Sequence, residues 1–188
     1  ILYLSYLFFS AETAQQMTVL LLMVVLMMIW VVHHKTIRMQ DVLITFFGFM
    51  YVTVLLFQMI LIEQFTIPHG LWLVFIISWG CDSGAYLTGF AFGRRKLCPS
   101  ISPKKTVEGA VGGIAGSMLG CFIFSQLFLP HQLSAFLLMG CLGAVVSQFG
   151  DLSASLIKRT MGIKDFGRLF PGHGGILDRF DSILLTAP

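Results

Sequence analysis

The stretch Val42–Ile62 reads VLITFFGFMYVTVLLFQMILI and holds no charged residue. A helix needs about 20 apolar residues to cross the hydrocarbon core of a bilayer, so this run is long enough to span it. Comparable runs cover Met17–Val32, Leu71–Phe92, Val107–Leu129 and Ser134–Gly150. Backbone polar groups cannot stay unpaired in hydrocarbon, and we therefore expect all these runs to be helices.

The composition of the whole chain agrees with this interpretation. Of the 188 residues, 56% are hydrophobic and 11% are charged, whereas soluble domains carry about 25% charged residues. The four cysteines form no Cys-x-x-Cys pair and indicate neither a disulfide framework nor a zinc site. The sequence therefore predicts an all-α, polytopic integral membrane helical bundle with about 5–6 spans, truncated ends and cytoplasmic polar loops.

The basic residues indicate how the chain is oriented. All 12 Lys and Arg residues lie in alternate loops, namely Lys35, Arg38, Arg94, Arg95, Lys96, Lys104, Lys105, Lys158, Arg159, Lys164, Arg168 and Arg179. The opposite loops, Glu63–Gly70 and Pro130–Gln132, contain none. Because basic loops stay in the cytoplasm, residues 33–41, 93–106 and 151–181 are predicted to be cytoplasmic.

One acidic residue falls inside an apolar run. Asp82 stands between Gly80 and Gly84, and we expect these glycines to interrupt the third span and leave room beside the carboxylate. An isolated charge at the bilayer centre costs about 2.5–3.5 kcal/mol, so it needs a cavity, a partner or an ion. The alternative is a hydrogen-bonded carboxyl that only joins two helices.

A second polar feature precedes the fourth span. Ser102 and Pro103 are expected to cap and begin that helix, which would put Lys104 and Lys105 in its first turn. Lysines in a first turn oppose the helix dipole, and a bound anion such as phosphate would remove this conflict. The alternative is that they are ordinary cytoplasmic flanking residues.

The densest polar segment follows the fifth span, at residues 151–181. If the helix continues, Asp151, Ser155 and Lys158 or Arg159 share one face, because they lie four, seven or eight residues apart. This face presents an acid, a hydroxyl and cations, a combination that suits a phosphate ligand and its counter-ion.

A glycine-rich loop and an acidic turn complete the segment. The loop Pro171–Gly175 reads PGHGG and lets backbone approach a ligand closely. Asp178 and Asp181 lie one turn apart on what we expect to be the start of a last helix. A magnesium site needs one or two carboxylates, and Asp151 with Asp178 could supply such a pair.

The segment resembles the signature of phosphatidate cytidylyltransferases (CDP-diacylglycerol synthases). Its motif reads Ser-x-x-Lys-Arg, then Lys-Asp, then Pro-Gly-His-Gly-Gly-Ile-Leu-Asp-Arg-Phe-Asp, over Ser155–Asp181. The segments Asp82–Tyr86 and Ser102–Gly109 also resemble this family. One departure is Ala154, where many members carry an acid before the signature serine.

The resemblance implies a reaction in which CTP and phosphatidic acid give CDP-diacylglycerol and pyrophosphate. It also implies Mg²⁺, as one ion or as a two-metal centre, and a homodimer that binds membrane lipid and no nucleic acid. The implied site residues are Asp151, Asp178, Lys158 and Arg159 in catalysis, Ser155, Lys104, Lys105, Lys164, Asp165, His173, Gly174, Arg179 and Asp82 in substrate binding, and Asp151, Asp178 and Asp181 at the metal.

We expect residues 1–188 to be a single transmembrane catalytic domain, a fragment of a longer chain, with 151–181 as its cytoplasmic signature segment. A bacterial inner membrane, with the active site facing the cytoplasm, is the expected location. Three other functions stay open at this point. They are a polyprenol or dolichol kinase that uses CTP, a transporter with Asp82 as its intramembrane site, and a scaffold subunit.

Overall fold

The computed structural model describes residues 10–62, 69–167 and 174–188. Five helices in these ranges are long and apolar enough to cross a membrane, namely Ala11–Val32, Met39–Ile62, Gly70–Phe92, Val107–Phe128 and Pro130–Thr160. The predicted polytopic helical bundle is therefore confirmed. The run before Ser10 and most of the predicted loop Glu63–Gly70 lie outside the described residues.

Residues 1–66 form the first of two compact units. Its described elements are helix α1 (Ala11–Val32), helix α2 (Met39–Phe49), a π-helical stretch (Met50–Val54) and helix α3 (Leu55–Ile62). Ser10 caps the start of helix α1, and its side-chain oxygen accepts a hydrogen bond from the Thr13 N–H. The Gln58 amide donates to Gln15 at 3.3 Å. This bond pairs two amides that hydrocarbon could not solvate.

Residues 67–188 form the second unit, which contains all the predicted site residues. Its described elements are α4 (Gly70–Phe92), β1 (Lys96–Cys98), β2 (Ser102–Thr106), α5 (Val107–Phe128), a 3₁₀ turn (Pro130–Gln132), α6 (Leu133–Thr160) and α7 (Leu177–Thr186). A small apolar core joins α4, α5 and α6 and consists of Leu73, Ile77, Cys121, Phe124 and Phe136.

Helices α4 and α5 pack with their backbones almost touching. A Cβ on Gly84 would collide with the carbonyl oxygen of Gly112, and one on Gly116 would lie 2.5 Å from that of Gly80. Small residues at matching positions allow this approach, as in other membrane helix pairs. Gly112 and Gly116 of α5 thus serve tight helix packing, and Gly80 and Gly84 are their counterparts on α4.

Two local predictions were wrong. Helix α4 continues through Gly80–Gly84 without interruption, because these glycines face α5 and serve packing. Helix α5 is capped by Thr106, whose Oγ1 accepts from the Gly109 N–H at 3.1 Å, and not by Ser102.

The lysines of the fourth span therefore lie before the helix and not in its first turn. Lys104 and Lys105 belong to β2, which pairs antiparallel with β1 in the register Lys96 with Thr106 and Cys98 with Ser102. The Glu108 carboxylate fastens this hairpin to α5, because it accepts hydrogen bonds from the N–H groups of Arg94 and Arg95. The fold is thus helical with one short β-hairpin.

We expect Gly84→Ala to destabilise the protein by about 1–3 kcal/mol, because the added methyl group would force α4 and α5 apart. Thermal unfolding in detergent measures this loss. The matched control is Gly48→Ala, where a Cβ meets nothing within 4 Å and helix propensity favours alanine by up to about 1 kcal/mol. Equal unfolding temperatures for Gly84→Ala and wild type would contradict the packing argument.

Candidate active site

Charged side chains from four parts of the second unit meet beside α6. They comprise four aspartates and two lysines, namely Asp82 on α4, Lys105 on β2, Asp151 and Lys158 on α6, and Asp178 and Asp181 on α7. Each lysine pairs with at least one aspartate. We call these six residues the charged cluster. It brings together residues that are up to 99 positions apart in the sequence.

The first part of the cluster is the predicted polar face of α6. Helix α6 does continue past the apolar run, and the Ser155 hydroxyl donates to Asp151 Oδ1 at 3.4 Å, one turn away. From the hairpin, Lys105 Nζ reaches Asp151 Oδ2 at 2.5 Å. Lys158 lies on the α7 side of this face, whereas Arg159 is exposed. Lys158 is therefore the cation that α6 contributes to the cluster.

Asp178 has both carboxylate oxygens occupied. Oδ1 accepts from Lys158 Nζ at 2.9 Å, and Oδ2 accepts from the N–H groups of Gly175 and Phe166, each at 2.9 Å. Its side chain is only 7% exposed. Burial alone raises the pKa of Asp178, but these three hydrogen bonds outweigh burial and hold the pKa below its usual range. Asp178 is therefore ionised and fixes the loop that precedes α7 against α6.

Two glycines in this loop are required by the geometry. Gly174 has a φ of +82°, which side chains rarely adopt. A Cβ on Gly174 would also lie 2.9 Å from Asp178 Oδ2, and one on Gly175 would lie 2.9 Å from the Gly167 backbone. The glycine-rich motif thus allows the backbone N–H of Gly175 to reach the carboxylate of Asp178.

Asp181 and Asp82 carry the less compensated charges. Asp181 Oδ2 lies 3.8 Å from Lys158 Nζ, and its Oδ1 accepts from the Ser182 N–H at 2.9 Å. Burial, together with the nearby charge of Asp151, raises the pKa of Asp181 to about 7. The Ser182 hydroxyl donates to Asp82 Oδ2 at 3.1 Å and so joins α7 to α4.

A cavity of about 440 Å³ opens next to the cluster. Its charged lining residues are Asp82, Lys104, Lys105 and Asp151. Gln148 also lines it, and its side-chain amide donates to the Ala110 carbonyl oxygen at 3.0 Å. The sequence analysis missed Gln148, although an amide within the apolar run of α6 was a signal that could have found it.

The charge and the donor type of the cluster fit a divalent cation. With all four aspartates ionised, the two lysines leave an excess of two negative charges, and carboxylate oxygens are the ligands that Mg²⁺ prefers. Burial is the main cause of the raised pKa of Asp181, and the neighbouring carboxylates of Asp151 and Asp82 raise it further. Within the described ranges, no three His, Cys, Asp or Glu residues are already arranged to hold a metal ion. Binding would therefore require the lysines to release carboxylate oxygens.

The remaining predicted residues lie around this centre. Lys164 and Asp165 are exposed on the segment after α6, and Arg179 is exposed on α7. Asp165 is close to the loop, since a Cβ on Gly174 would contact its Cβ at 3.4 Å. His173 lies outside the described residues. The roles of all these residues in binding stay predictions.

The pKa of Asp181 predicts a pH dependence of stability. Since its pKa is raised to about 7 in the folded protein, the folded state keeps a proton that the unfolded state releases above about pH 4. This residue therefore lowers stability progressively as the pH rises from about 4 to 7. We expect Asp181→Asn, which cannot ionise, to unfold at least about 5 °C above wild type at pH 8 in the presence of EDTA.

At pH 4, Asp181→Asn and wild type should unfold at similar temperatures, because the Asp181 carboxyl is then protonated in wild type as well. Thermal scans at both pH values measure the difference. The control is Asp165→Asn, which removes an exposed carboxylate from the neighbouring segment. A gain for Asp181→Asn that is equal at pH 4 and pH 8 would contradict this assignment of the pKa.

Comparison with known proteins places the chain in a family. It is 43% identical over 128 residues to the phosphatidate cytidylyltransferase of Haemophilus influenzae, and the match covers 64% of this chain and 44% of the relative. It is 46% identical over 124 residues to that of Bacillus subtilis, where the match covers 64% of this chain and 46% of the relative. It is 49% identical over 117 residues to that of Synechocystis sp., where the match covers 62% of this chain and 40% of the relative. The matched stretch thus spans less than half the length of these relatives. The model of the cytidylyltransferase family matches residues 1–188. The chain belongs to the cytidylyltransferase family.

Proposed function

We propose that the protein is a phosphatidate cytidylyltransferase, an enzyme that converts CTP and phosphatidic acid to CDP-diacylglycerol and pyrophosphate. The names of its relatives support this proposal. The observation that carries it is the charged cluster at one end of a cavity with apolar walls. Joining a lipid phosphate to a nucleotide requires cations for phosphates, carboxylates for a metal, and an apolar approach from the membrane.

The reaction needs little covalent help from the protein. A phosphate oxygen of phosphatidic acid attacks the α-phosphorus of CTP, a new P–O bond forms, and the bond to the bridging oxygen breaks. Pyrophosphate leaves with that electron pair. Because both reactants are anions, the protein contributes mainly by holding them in line and by neutralising the charge that develops.

The cations near α6 are suited to this task. We propose that Lys158, Arg159 and Arg179 bind phosphate oxygens of the triphosphate. The Ser155 hydroxyl, now donating to Asp151, can donate to a phosphate instead. Asp178 would keep the glycine-rich loop and Lys158 in position through its three hydrogen bonds.

The metal is part of the proposal. The family generally uses a divalent metal, and we propose Mg²⁺, as one ion or as a two-metal centre. Asp151, Asp178 and Asp181 would hold it. When bound, Mg²⁺ would neutralise triphosphate oxygens and stabilise the leaving pyrophosphate. In its absence, Lys105 and Lys158 balance part of the same negative charge.

We further propose that the protein works as a homodimer in a bacterial inner membrane, with the charged cluster facing the cytoplasm. The restriction of all 12 Lys and Arg residues to alternate loops supports this orientation. A cytoplasmic site has direct access to CTP. The molar mass of the purified protein in detergent tests the dimer.

Asp151→Asn and Asp178→Asn should each lower the rate of CDP-diacylglycerol formation by about 100-fold or more, because each removes a charge that positions the metal or the phosphates. EDTA should abolish activity and Mg²⁺ should restore it. Formation of lipid-linked product from CTP and phosphatidic acid, in purified intact protein, measures both effects. The matched control is Asp41→Asn, an exposed aspartate on α2, which should leave the rate unchanged.

Labelled CTP separates this reaction from the kinase alternative. Label at the α-phosphate reaches the lipid only when CMP is transferred, whereas a kinase would transfer label from the γ-phosphate. A transporter would instead move solute across proteoliposomes without nucleotide. Label from the γ-phosphate in lipid, or near-wild-type rates for both aspartate variants, would overturn the proposed function or its metal site respectively.

A further inference from the structure

The cavity beside the charged cluster has two kinds of wall. One end carries the carboxylates of Asp82 and Asp151. Along α4, the same cavity is lined by Tyr86 and Phe90, whose side chains are 72% and 85% exposed. Their rings stack with centroids 6.3 Å apart. A single cavity therefore joins a charged end to an aromatic wall on the outside of a membrane-spanning helix.

The residues Asp82, Tyr86 and Phe90 follow one another at intervals of four, so they form one stripe along α4. The stripe changes from acidic to aromatic towards the end of the helix that carries the hairpin. A ligand that fits this cavity has a charged group inside it and apolar chains that leave it sideways, past the exposed rings of Tyr86 and Phe90. The base of a nucleoside triphosphate can stack on one aromatic ring, but a nucleotide has no apolar chain to cover the outer side of Tyr86 and Phe90 on a membrane-spanning helix.

Two lysines of the hairpin complete the cavity and differ in what they contact. Lys105 pairs with Asp151. Lys104 also lines the cavity but is exposed, and within the described part of the chain it has no ion-pair partner. Lys104 is therefore a cation at the cavity that is available to an anionic ligand without breaking an existing pair.

Lys158 occupies a different place. It does not line the cavity, and its side chain is only 12% exposed. Asp178 and Asp181 hold its ammonium group, which also lies 5.2 Å from the ring centre of Phe166. The hairpin lysines thus lie at the cavity with the aromatic wall. Lys158 instead reaches the charged cluster from the side of the glycine-rich loop.

We infer that Lys104 and Lys105 bind the phosphate of the lipid substrate in this cavity, with its acyl chains leaving sideways past the exposed rings of Tyr86 and Phe90 into the bilayer, and that the nucleotide is held on the Lys158 side. This assignment rests on the proposed function and adds to it which cations serve which substrate. A volume of about 440 Å³ falls within the range of about 300–1,000 Å³ typical of small-molecule sites. It suits a glycerophosphate head group, and the chains extend outside it.

The position of Lys105 would bring the lipid phosphate close to the reacting groups. Because Lys105 contacts Asp151, a phosphate bound to both hairpin lysines would lie next to the carboxylates that we propose to hold the metal. A lysine ammonium has three donors and can contact a phosphate and a carboxylate together. The nucleophile would thereby reach the reacting centre from the membrane side, opposite the triphosphate.

Steady-state kinetics in mixed micelles of a neutral detergent tests the inference. We expect Lys104→Met to raise the KM for phosphatidic acid about tenfold, which is the effect of losing one charged contact of about 1.4 kcal/mol. The KM for CTP should stay within twofold of wild type, and Lys104→Arg should restore most of the affinity for the lipid. An unchanged unfolding temperature would show that the variant is folded.

The matched control is Lys96→Met, since Lys96 is an exposed lysine of the same hairpin that does not line the cavity. It should leave both KM values unchanged. An equal rise of the lipid KM in Lys96→Met and Lys104→Met would indicate a general surface charge effect and would overturn the inference. A rise in the KM for CTP in Lys104→Met, with the lipid KM unchanged, would overturn it as well.

Pyrophosphate is the alternative phosphate ligand for these lysines, and product inhibition distinguishes it from the lipid phosphate. We expect the inhibition constant of pyrophosphate to be the same in Lys104→Met and wild type. Weaker inhibition without a change in the lipid KM would assign the lysines to pyrophosphate and overturn the inference.

Direct titration with dihexanoyl phosphatidic acid, in the absence of CTP, separates this inference from the proposed function. Weaker binding by Lys104→Met than by wild type and Lys96→Met supports the lipid site even if no CDP-diacylglycerol is formed. Failure of wild type to form that product would overturn the proposed function alone. Equal binding by all three proteins would overturn the assignment of Lys104.

Discussion

A carboxylate that is largely buried between helices must be matched by a proton, a cation or a hydrogen-bond donor, because burial removes it from water. This requirement organises the second unit of the protein. Lys105 and Lys158 supply cations, Ser182 supplies a hydroxyl to Asp82, and backbone N–H groups supply Asp178. Each of these partners comes from a different element than its carboxylate. Neutralising the aspartates therefore also holds α4, the hairpin, α6 and α7 together.

The presence of both carboxylates and lysines in the cluster explains why the site suits a divalent metal together with anionic substrates. The cluster holds four carboxylates and two lysines, and the neighbouring carboxylates add to the effect of burial in raising the pKa of Asp181. A metal ion would remove the excess of negative charge, and it would also free the lysines to turn towards phosphates. In the proposed reaction, substrates and metal would then replace contacts that these six side chains make with one another.

Much of this architecture was predictable from the sequence, for identifiable reasons. Apolar length gave the five spans, and the family resemblance carried by Ser155–Asp181 is confirmed. Periodicity correctly placed Ser155 beside Asp151. The hairpin around Lys104 was missed because Ser102-Pro103 is also a good helix start. The contacts of Asp178 and the cavity depend on tertiary pairing, which no local pattern encodes.

The glycine contact between α4 and α5 has a mechanical consequence. Where two backbones touch, neither helix can slide or turn without a steric clash, and the pair behaves as a rigid frame. In this frame, α4 carries Asp82, Tyr86 and Phe90, and α5 begins directly after the hairpin. The mouth of the cavity therefore keeps a fixed width between these two helices. In the proposed lipid site, adjustment to the bound head group would therefore fall to the long, flexible lysine side chains of the hairpin.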